Sequence, residues 1–203
     1  NSLESAIEVE FCDLTLDSCR IETCGGTGSG GAMAASGGIS RVYNCWLEGN
    51  FSSGNGGAFD FRQYATFILA ENVFSLNIAG GTGGGVSSWL SSGWIHACQF
   101  SDNRSERGGA IGIRQSDDLI ITGSRILDNR ADFGGGISIQ QSDSLLLDCL
   151  VSDNQALPPT EVDGHGGGVF VDDSDFQLTN CTVAGNIASG FSRISGGGLT
   201  IIG

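Results

Sequence analysis

Lysine is absent from this 203-residue chain, and its nine basic residues, all arginine, face 23 acidic residues. The resulting formal net charge of −14 argues against binding to nucleic acid or to an anionic membrane, because both contacts rely on basic patches that displace counterions. Nucleic acid is therefore excluded as an expected partner. Cations are the small partners that such a charge balance favours.

Long hydrophobic runs are also missing, so no transmembrane segment is predicted. The first residues, Asn-Ser-Leu-Glu-Ser, carry neither a basic region nor a signal-peptide core. We expect a soluble chain that is mature or excised from a longer one. Proline is scarce, with two residues against 34 glycines. Such a composition without a period is typical of disorder, but here the glycines recur at one place in a repeat.

The repeat has a period of about 26 residues and covers nearly the whole chain. One position is mostly cysteine: Cys19, Cys45, Asn72, Cys98, Ser124, Cys149 and Cys181. Two residues later the side chain is always apolar: Ile21, Leu47, Phe74, Phe100, Ile126, Val151 and Val183. Three residues further, Cys24 is followed in later repeats by asparagine: Asn50, Asn77, Asn103, Asn129, Asn154 and Asn186. A glycine-rich stretch then leads to a first apolar residue: Met33, Phe59, Val86, Ile111, Ile137, Val169 and Leu199.

Apolar and polar residues alternate after each glycine-rich stretch, which predicts two or three short strands per repeat, separated by bends. Strands repeated in one direction pair in parallel with the next repeat, and right-handed coiling is the default. We therefore predict an all-β, right-handed parallel β-helix of seven to eight coils, forming one domain over 1–203 and a rod on the order of 35 Å long. The asparagine column is predicted to be structural, because stacked amides bond to one another and to the backbone of a bend.

Five of the seven cysteines share one column, and two interpretations follow. Free cysteine packs as a small buried hydrophobe, which favours unpaired stacked thiols. Stacked residues lie about 4.8 Å apart, inside the Cα range for a disulfide but with their Cβ atoms farther apart than that bond prefers. If any bridge exists, we expect it among Cys12, Cys19 and Cys24.

Paired motifs recur with the period. A Gly-Gly-Ala-Ile-like motif occurs at Gly108–Ile111, Gly56–Phe59 and Gly30–Met33, and a Phe-x-x-Asn motif occurs at Phe74–Asn77 and Phe100–Asn103. In these motifs the whole chain resembles the polymorphic outer-membrane-protein repeat family, known from chlamydial surface proteins. The resemblance implies a right-handed β-helix exposed outside a cell, with an adhesive or structural role. No C-terminal membrane barrel is present in this sequence.

Two surface sites are candidates. Asp102, Asp128 and Asp153 occupy one column on successive coils, and like charges at strand spacing repel unless solvated or bridged. Solvated carboxylates and Ca²⁺ bridging therefore both stay open. Of three glycosylation sequons, those at Asn50 and Asn103 belong to the interior column. Asn180 is predicted to point outwards and is the candidate acceptor in a eukaryotic secretory route.

Many parallel β-helices cleave acidic polysaccharides. His165 and the pair Asp172-Asp173 resemble fragments of a polygalacturonase site, but in reversed order, and the family's Arg-x-Lys element cannot exist without lysine. No catalytic residue is assigned. Trp46 and Trp94 fall at outward parity, where an indole either stacks on a sugar ring or covers a sheet face.

The predicted function is a non-enzymatic structural or adhesive rod at the cell surface or outside the cell, needing no cofactor except the open case of Ca²⁺. Because the alternation still runs at both ends, we expect either a segment of a longer β-helix, with neighbouring coils of the same chain, or subunits that stack end to end into a filament. A glycan or host-surface partner fits the adhesive role. The alternative is a carbohydrate-binding or polysaccharide-cleaving β-helix. A cleft with converging aspartate and arginine on one long face would favour that alternative, and flat, sparsely charged faces would favour the rod.

Overall fold

The computed structural model describes residues 5–158, 164–190 and 196–203. All strand pairs in these residues are parallel, and the strands of each sheet follow the order of the coils. The described part therefore forms a β-helix with three main sheets, as the repeat predicts. None of its residues forms a helix that could cross a membrane.

Sheet A has eight strands and begins each coil after the glycine-rich stretch. Its strands are Ile7–Glu10, Met33–Ser36, Phe59–Arg62, Val86–Trp89, Ile111–Arg114, Ile137–Gln140, Val169–Asp172 and Leu199–Ile202. The first and third residues of each strand point into the rod, because side chains alternate across a strand.

Sheets B and C follow in each coil and have seven strands each. Sheet B consists of Leu14–Asp17, Ile39–Tyr43, Thr66–Ala70, Ser92–His96, Leu119–Thr122, Ser144–Leu147 and Phe176–Thr179. Sheet C consists of Arg20–Glu22, Trp46–Glu48, Val73–Ser75, Gln99–Ser101, Arg125–Leu127, Leu150–Ser152 and Thr182–Ala184.

A fourth, two-residue strand follows the asparagine in most coils, so the prediction of two or three strands per repeat was one short. These strands are Gly25–Gly26, Phe51–Ser52, Ile78–Ala79, Arg130–Ala131, Gln155–Ala156 and Ile187–Ala188. Single bridges at Arg104 connect the third to the fourth of them. Two residues are too few for alternation to be visible in a sequence, which is why the pattern did not predict this element.

The interior is a set of ladders in which each apolar side chain lies on its counterpart in the next coil. Phe74 and Phe100, for example, stack with ring centroids 4.7 Å apart and planes 3° from parallel. Such contacts fill the core at the density of a crystal rather than a liquid. A buried Leu, Ile or Phe contributes about 1.5–3 kcal/mol by leaving water.

The asparagine column is a continuous hydrogen-bonded ladder, which confirms its predicted structural role. Each side-chain Oδ1 accepts the backbone N–H of the preceding coil's asparagine, and in every such pair the preceding Nδ2 donates to the same oxygen at 2.9–3.0 Å. The members are Asn50, Asn77, Asn103, Asn129, Asn154 and Asn186. In the first coil the backbone N–H of Cys24 donates to Asn50 at 3.1 Å. The ladder turns the bend of every coil into a polar but satisfied part of the core.

The corners of the coils use left-handed backbone at fixed repeat positions. At the corner between sheets A and B, for example, φ is positive at Gln63, Leu90, Gln115 and Gln141. A non-glycine residue there costs of order 1 kcal/mol or more. The stacked neighbours must therefore hold each corner in place.

Candidate functional site

The second residue of every sheet A strand after the first points out of the rod and is nevertheless buried. Alternation alone predicts that Asp60, Ser87 and Ser138 face solvent, yet they are only 2%, 1% and 1% exposed. The covering comes from the connection that runs between the fourth strand and sheet A. A Cβ added to Gly112 would lie 2.1 Å from Cγ2 of Thr82 and 3.1 Å from the carbonyl oxygen of Arg107. The absence of a side chain at Gly112 therefore allows the connection that contains Thr82 to lie against sheet A.

The covering connections are stacked from coil to coil and form an outer wall, which we define as Thr82, Arg107, Phe133 and His165. Single parallel bridges join Thr82 to Arg107, Arg107 to Phe133, and Phe133 to His165. The guanidinium carbon of Arg107 lies 4.7 Å from the centroid of the Phe133 ring, and the rings of Phe133 and His165 are stacked at 5.9 Å. Phe170 of sheet A packs beneath both rings. The wall is therefore packed by aromatic contacts as well as by backbone bridges.

A cleft runs between this wall and the last residues of the sheet A strands. It consists of two adjoining hollows of about 260 and 280 Å³ that share Arg114. The first hollow is lined by Asn55, Thr82, Ser87, Ser88, Trp89 and Arg114. The second is lined by Arg107, Arg114, Gln140, Gln141 and Asp172. The cleft thus crosses several coils along one long face of the rod.

Trp89 lines the first hollow and Arg114 lines both, and the two residues occupy adjacent places in one column. The indole Nε1 of Trp89 donates to Oε1 of Gln115 at 3.0 Å, which fixes the ring while leaving it 38% exposed. Arg114 makes no ion pair among the described residues and is exposed. A fixed aromatic face beside an unpaired guanidinium can hold a ring-shaped ligand that carries an anionic group.

Asp172 supplies the carboxylate of the cleft. Its Oδ2 accepts a hydrogen bond from Nε2 of Gln140 at 3.3 Å, across one coil. The amide of Gln140 therefore orients the carboxylate towards the same hollow that Arg107 and Arg114 line. Asp172 belongs to the pair weighed in the sequence as part of a hydrolase site. His165, the other fragment, packs in the outer wall instead.

Asp60 lies on the covered side of sheet A and has one unsatisfied oxygen. Its Oδ1 has no hydrogen-bond partner within the described part of the chain, while Oδ2 lies 3.8 Å from Nη1 of Arg62. Burial raises the pKa of this carboxyl, although Ser87 and Arg62 act in the opposite direction. A buried, partly satisfied carboxyl destabilises the fold when ionised.

The family model described as "Right handed beta helix region" matches residues 50–203, which is most of the chain. The chain belongs to the right-handed β-helix family. No curated protein and no solved structure matched the chain. The family accounts for the coil direction and the repeat, and the cleft is a feature of this β-helix's own loops.

The predicted acidic column lies at the corner between sheet C and the fourth strand, away from the cleft. Asp102, Asp128 and Asp153 are exposed, have positive φ, and stack through backbone bonds. Within the described ranges, no three or more His, Cys, Asp or Glu side chains form a group that could hold a metal ion. Ca²⁺ binding at this column stays a prediction.

Asn180 lies at the corner between sheets B and C and is exposed, as predicted. Its Nδ2 donates to Oδ1 of Asp148. The other two sequon asparagines, Asn50 and Asn103, are at most 1% exposed and belong to the ladder. Glycosylation of Asn180 stays a prediction.

Trp46 and Trp94 point outwards, as their parity predicts, and are 44% and 41% exposed. Neither lines the cleft. Trp89 stands out in the sequence only as one of three tryptophans, without an assigned role, and Arg114 is not predicted as a site residue. A signal for them existed, since Arg62, Trp89, Arg114 and Asp172 all end a sheet A strand, at one repeat position.

Proposed function

We propose that this β-helix is a non-enzymatic surface module that binds glycan in the sheet A cleft and so acts in adhesion, outside the cell or at its surface. The observation that carries the proposal is the placement of Trp89 beside the unpaired Arg114 in one cleft, with Asp172 at its other end. Arg114 and Asp172 line one hollow on a long face of the rod, and this arrangement supports carbohydrate as the ligand.

The expected ligand is a saccharide bearing a carboxylate or sulfate. The Trp89 indole offers an apolar face for a sugar ring, and a guanidinium donates two parallel hydrogen bonds to a carboxylate or sulfate group. Asn55, Thr82 and Gln140 provide side-chain donors and acceptors for hydroxyl groups along the same cleft. Polar groups around a hydrophobic platform are the composition that small-molecule sites use.

The number of carboxylates in the cleft favours binding of the saccharide over its cleavage. Glycoside hydrolysis uses two of them flanking the bond. Asp172 is the one carboxylate among the described residues that line the two hollows, and Gln140 already engages one of its oxygens.

The extracellular role and the membership in the polymorphic outer-membrane-protein type of repeat belong to the same proposal. The places of the motifs in the coil support the repeat type, and the extracellular role follows from the adhesive function proposed for the cleft. The Gly-Gly pairs, such as Gly108 and Gly109, stand where each coil turns into sheet A, and the Phe-x-x-Asn motifs supply the stacked rings and the amide ladder. Both motifs thus serve the rod that presents the cleft.

The test is calorimetric titration with oligogalacturonides, with a neutral cello-oligosaccharide as the comparison ligand. We expect Trp89→Ala and Arg114→Ala each to weaken binding of the acidic oligosaccharide by about 10-fold or more, the loss of one good contact at roughly 1.4 kcal/mol. Trp46→Ala and Arg125→Ala, on sheet C, are the matched controls and should bind as the unaltered chain does.

Mass spectrometry of the same samples tests for cleavage. If it detects shortened saccharides, and if Asp172→Asn abolishes their formation, the cleft cleaves its ligand and the proposal of binding alone is wrong. Equal weakening by the cleft and control variants would refute the cleft as the site.

A further inference from the structure

The cysteine column is not uniform, because cysteine recurs on directly adjacent coils at two places only. Cys19 stacks on Cys45, and Cys149 stacks on Cys181, since the residues that follow them are paired in register. Cys98 instead lies between Asn72 and Ser124. All seven cysteines are free thiols in the structure. The column therefore contains two pairs and one isolated member.

In each pair, the sulfur of one cysteine lies against the backbone of the cysteine stacked on it in the neighbouring coil. The backbone N–H of Cys19 lies 3.4 Å from Sγ of Cys45, and that of Cys149 lies 3.3 Å from Sγ of Cys181. The carbonyls of Cys19 and Cys149 accept ladder bonds from the next coil at 2.8 and 2.9 Å. The Cα atoms are thus held at the spacing of adjacent strands, about 4.8 Å, within the range of about 4.4–6.8 Å that disulfides use.

From this pairing we propose that Cys19–Cys45 and Cys149–Cys181 are oxidation sites that close into two coil-to-coil disulfides, while Cys98 stays a thiol. The bridges would close loops of 26 and 32 residues. Neither is a bridge that the sequence analysis favoured, which looked among Cys12, Cys19 and Cys24.

The difference in solvent exposure within each pair determines which cysteine reacts first. Cys45 and Cys149 are 1% and 2% exposed, whereas Cys19 and Cys181 are half-buried. With a small disulfide such as oxidised glutathione, the half-buried thiolate attacks, one glutathione leaves as a thiol, and a mixed disulfide forms. The buried neighbour then attacks the cysteine sulfur and releases the second glutathione. Two protein thiols are oxidised and one glutathione disulfide is reduced to two thiols.

Burial of the second thiol affects the rate of disulfide formation, and the spacing of the coils affects how easily the disulfide is reduced. Burial raises the pKa of the Cys149 thiol to about 11 and also raises that of Cys45, so the second step should accelerate as the pH rises. Side chains stacked at strand spacing start with their Cβ atoms farther apart than the usual value of about 3.8 Å. The two coils must close slightly, and the bond is expected to be easily reduced.

The experiment uses the whole chain, reduced and then exposed to oxidised glutathione at pH about 8.5, near the ordinary thiol pKa. Remaining thiols are blocked with N-ethylmaleimide before intact mass measurement and unreduced peptide mapping. We expect linked peptides for both pairs, each linkage accounting for the loss of two hydrogen atoms, with the buried Cys98 as a blocked thiol and with Cys12 and Cys24 outside both bridges, either as blocked thiols or as glutathione adducts. Seven blocked thiols, one bridge without the other, or any bridge to the three remaining cysteines would overturn the proposal.

Two variants sharpen the result. Cys98→Ser should form both bridges, because Cys98 takes part in neither. Cys45→Ser removes only the resolving thiol, so a persistent glutathione adduct is expected on Cys19 while the second bridge still forms. A Cys45→Ser sample without that adduct, in a chain whose circular dichroism is unchanged, would contradict the order of attack.

Discussion

Removing one amide from the middle of the asparagine ladder should be among the most damaging single changes in this protein. Asn129 is fully buried, and its Oδ1 accepts the backbone N–H of Asn103 at 2.9 Å and its Nδ2 at 3.0 Å. Its own Nδ2 donates to Oδ1 of Asn154 and to the carbonyls of Phe100 and Leu127. Alanine removes every one of these side-chain bonds.

The magnitude follows from counting those groups. A buried backbone N–H without an acceptor costs about 1–3 kcal/mol, and each of the two lost amide–amide bonds contributes about 1 kcal/mol. Asn129→Ala should therefore lower the free energy of unfolding by about 3–5 kcal/mol. Because each coil contacts only its neighbours, amide hydrogen exchange at Asn103 should accelerate far more than exchange at Asn50.

The assay is urea unfolding followed by circular dichroism, combined with that exchange measurement. Asn44→Gly is the control, since Asn44 is exposed, has φ 53°, donates from its side chain to Asp17, and keeps its backbone bond to Ala70 in the variant. It should change stability by about 0.5 kcal/mol or less. If Asn129→Ala costs under about 1 kcal/mol, the ladder is not what stabilises the bends.

Three further changes test other parts of the account. Because burial raises the pKa of Asp60, the unaltered chain should lose unfolding free energy as the pH rises above the ordinary Asp value of about 3.9. Asp60→Asn should remove that loss, and parallel pH profiles would contradict it. Gly112→Val places a side chain against Thr82, so it should displace the outer wall and weaken glycan binding, whereas Gly28→Ala, with open space around it, should do neither. Ca²⁺ bridging of the acidic column predicts that a chelator lowers the thermal midpoint and that Asp128→Asn abolishes this effect, while an unchanged midpoint favours solvated carboxylates.

The fold could be predicted because its determinants are local and recur. The period, the alternation and the asparagine bends each appear about once per 26 residues, and parallel pairing follows from repetition alone. Alternation also placed Trp46 and Trp94 on the outside correctly. Each of these predictions uses only the position of a residue within its own coil.

The cleft could not be predicted in the same way, because it depends on where the connections fold. Alternation places Ser87 and Asp60 outside, and the connections then cover them. The fit is decided by single contacts, such as the glycine at 112 against Thr82. The spacing of residues along the sequence does not predict a contact between a connection and the sheet beneath it. Trp89 and Arg114 therefore resembled ordinary surface residues until the wall beside them was seen.

The most direct measurement is a crystal structure of the protein soaked with an oligogalacturonide. The account predicts a sugar ring on the face of Trp89 and a carboxylate against the guanidinium of Arg114, in the cleft beneath the outer wall. Saccharide bound elsewhere, for example on the Trp94 face of sheet B with the cleft empty, would contradict it.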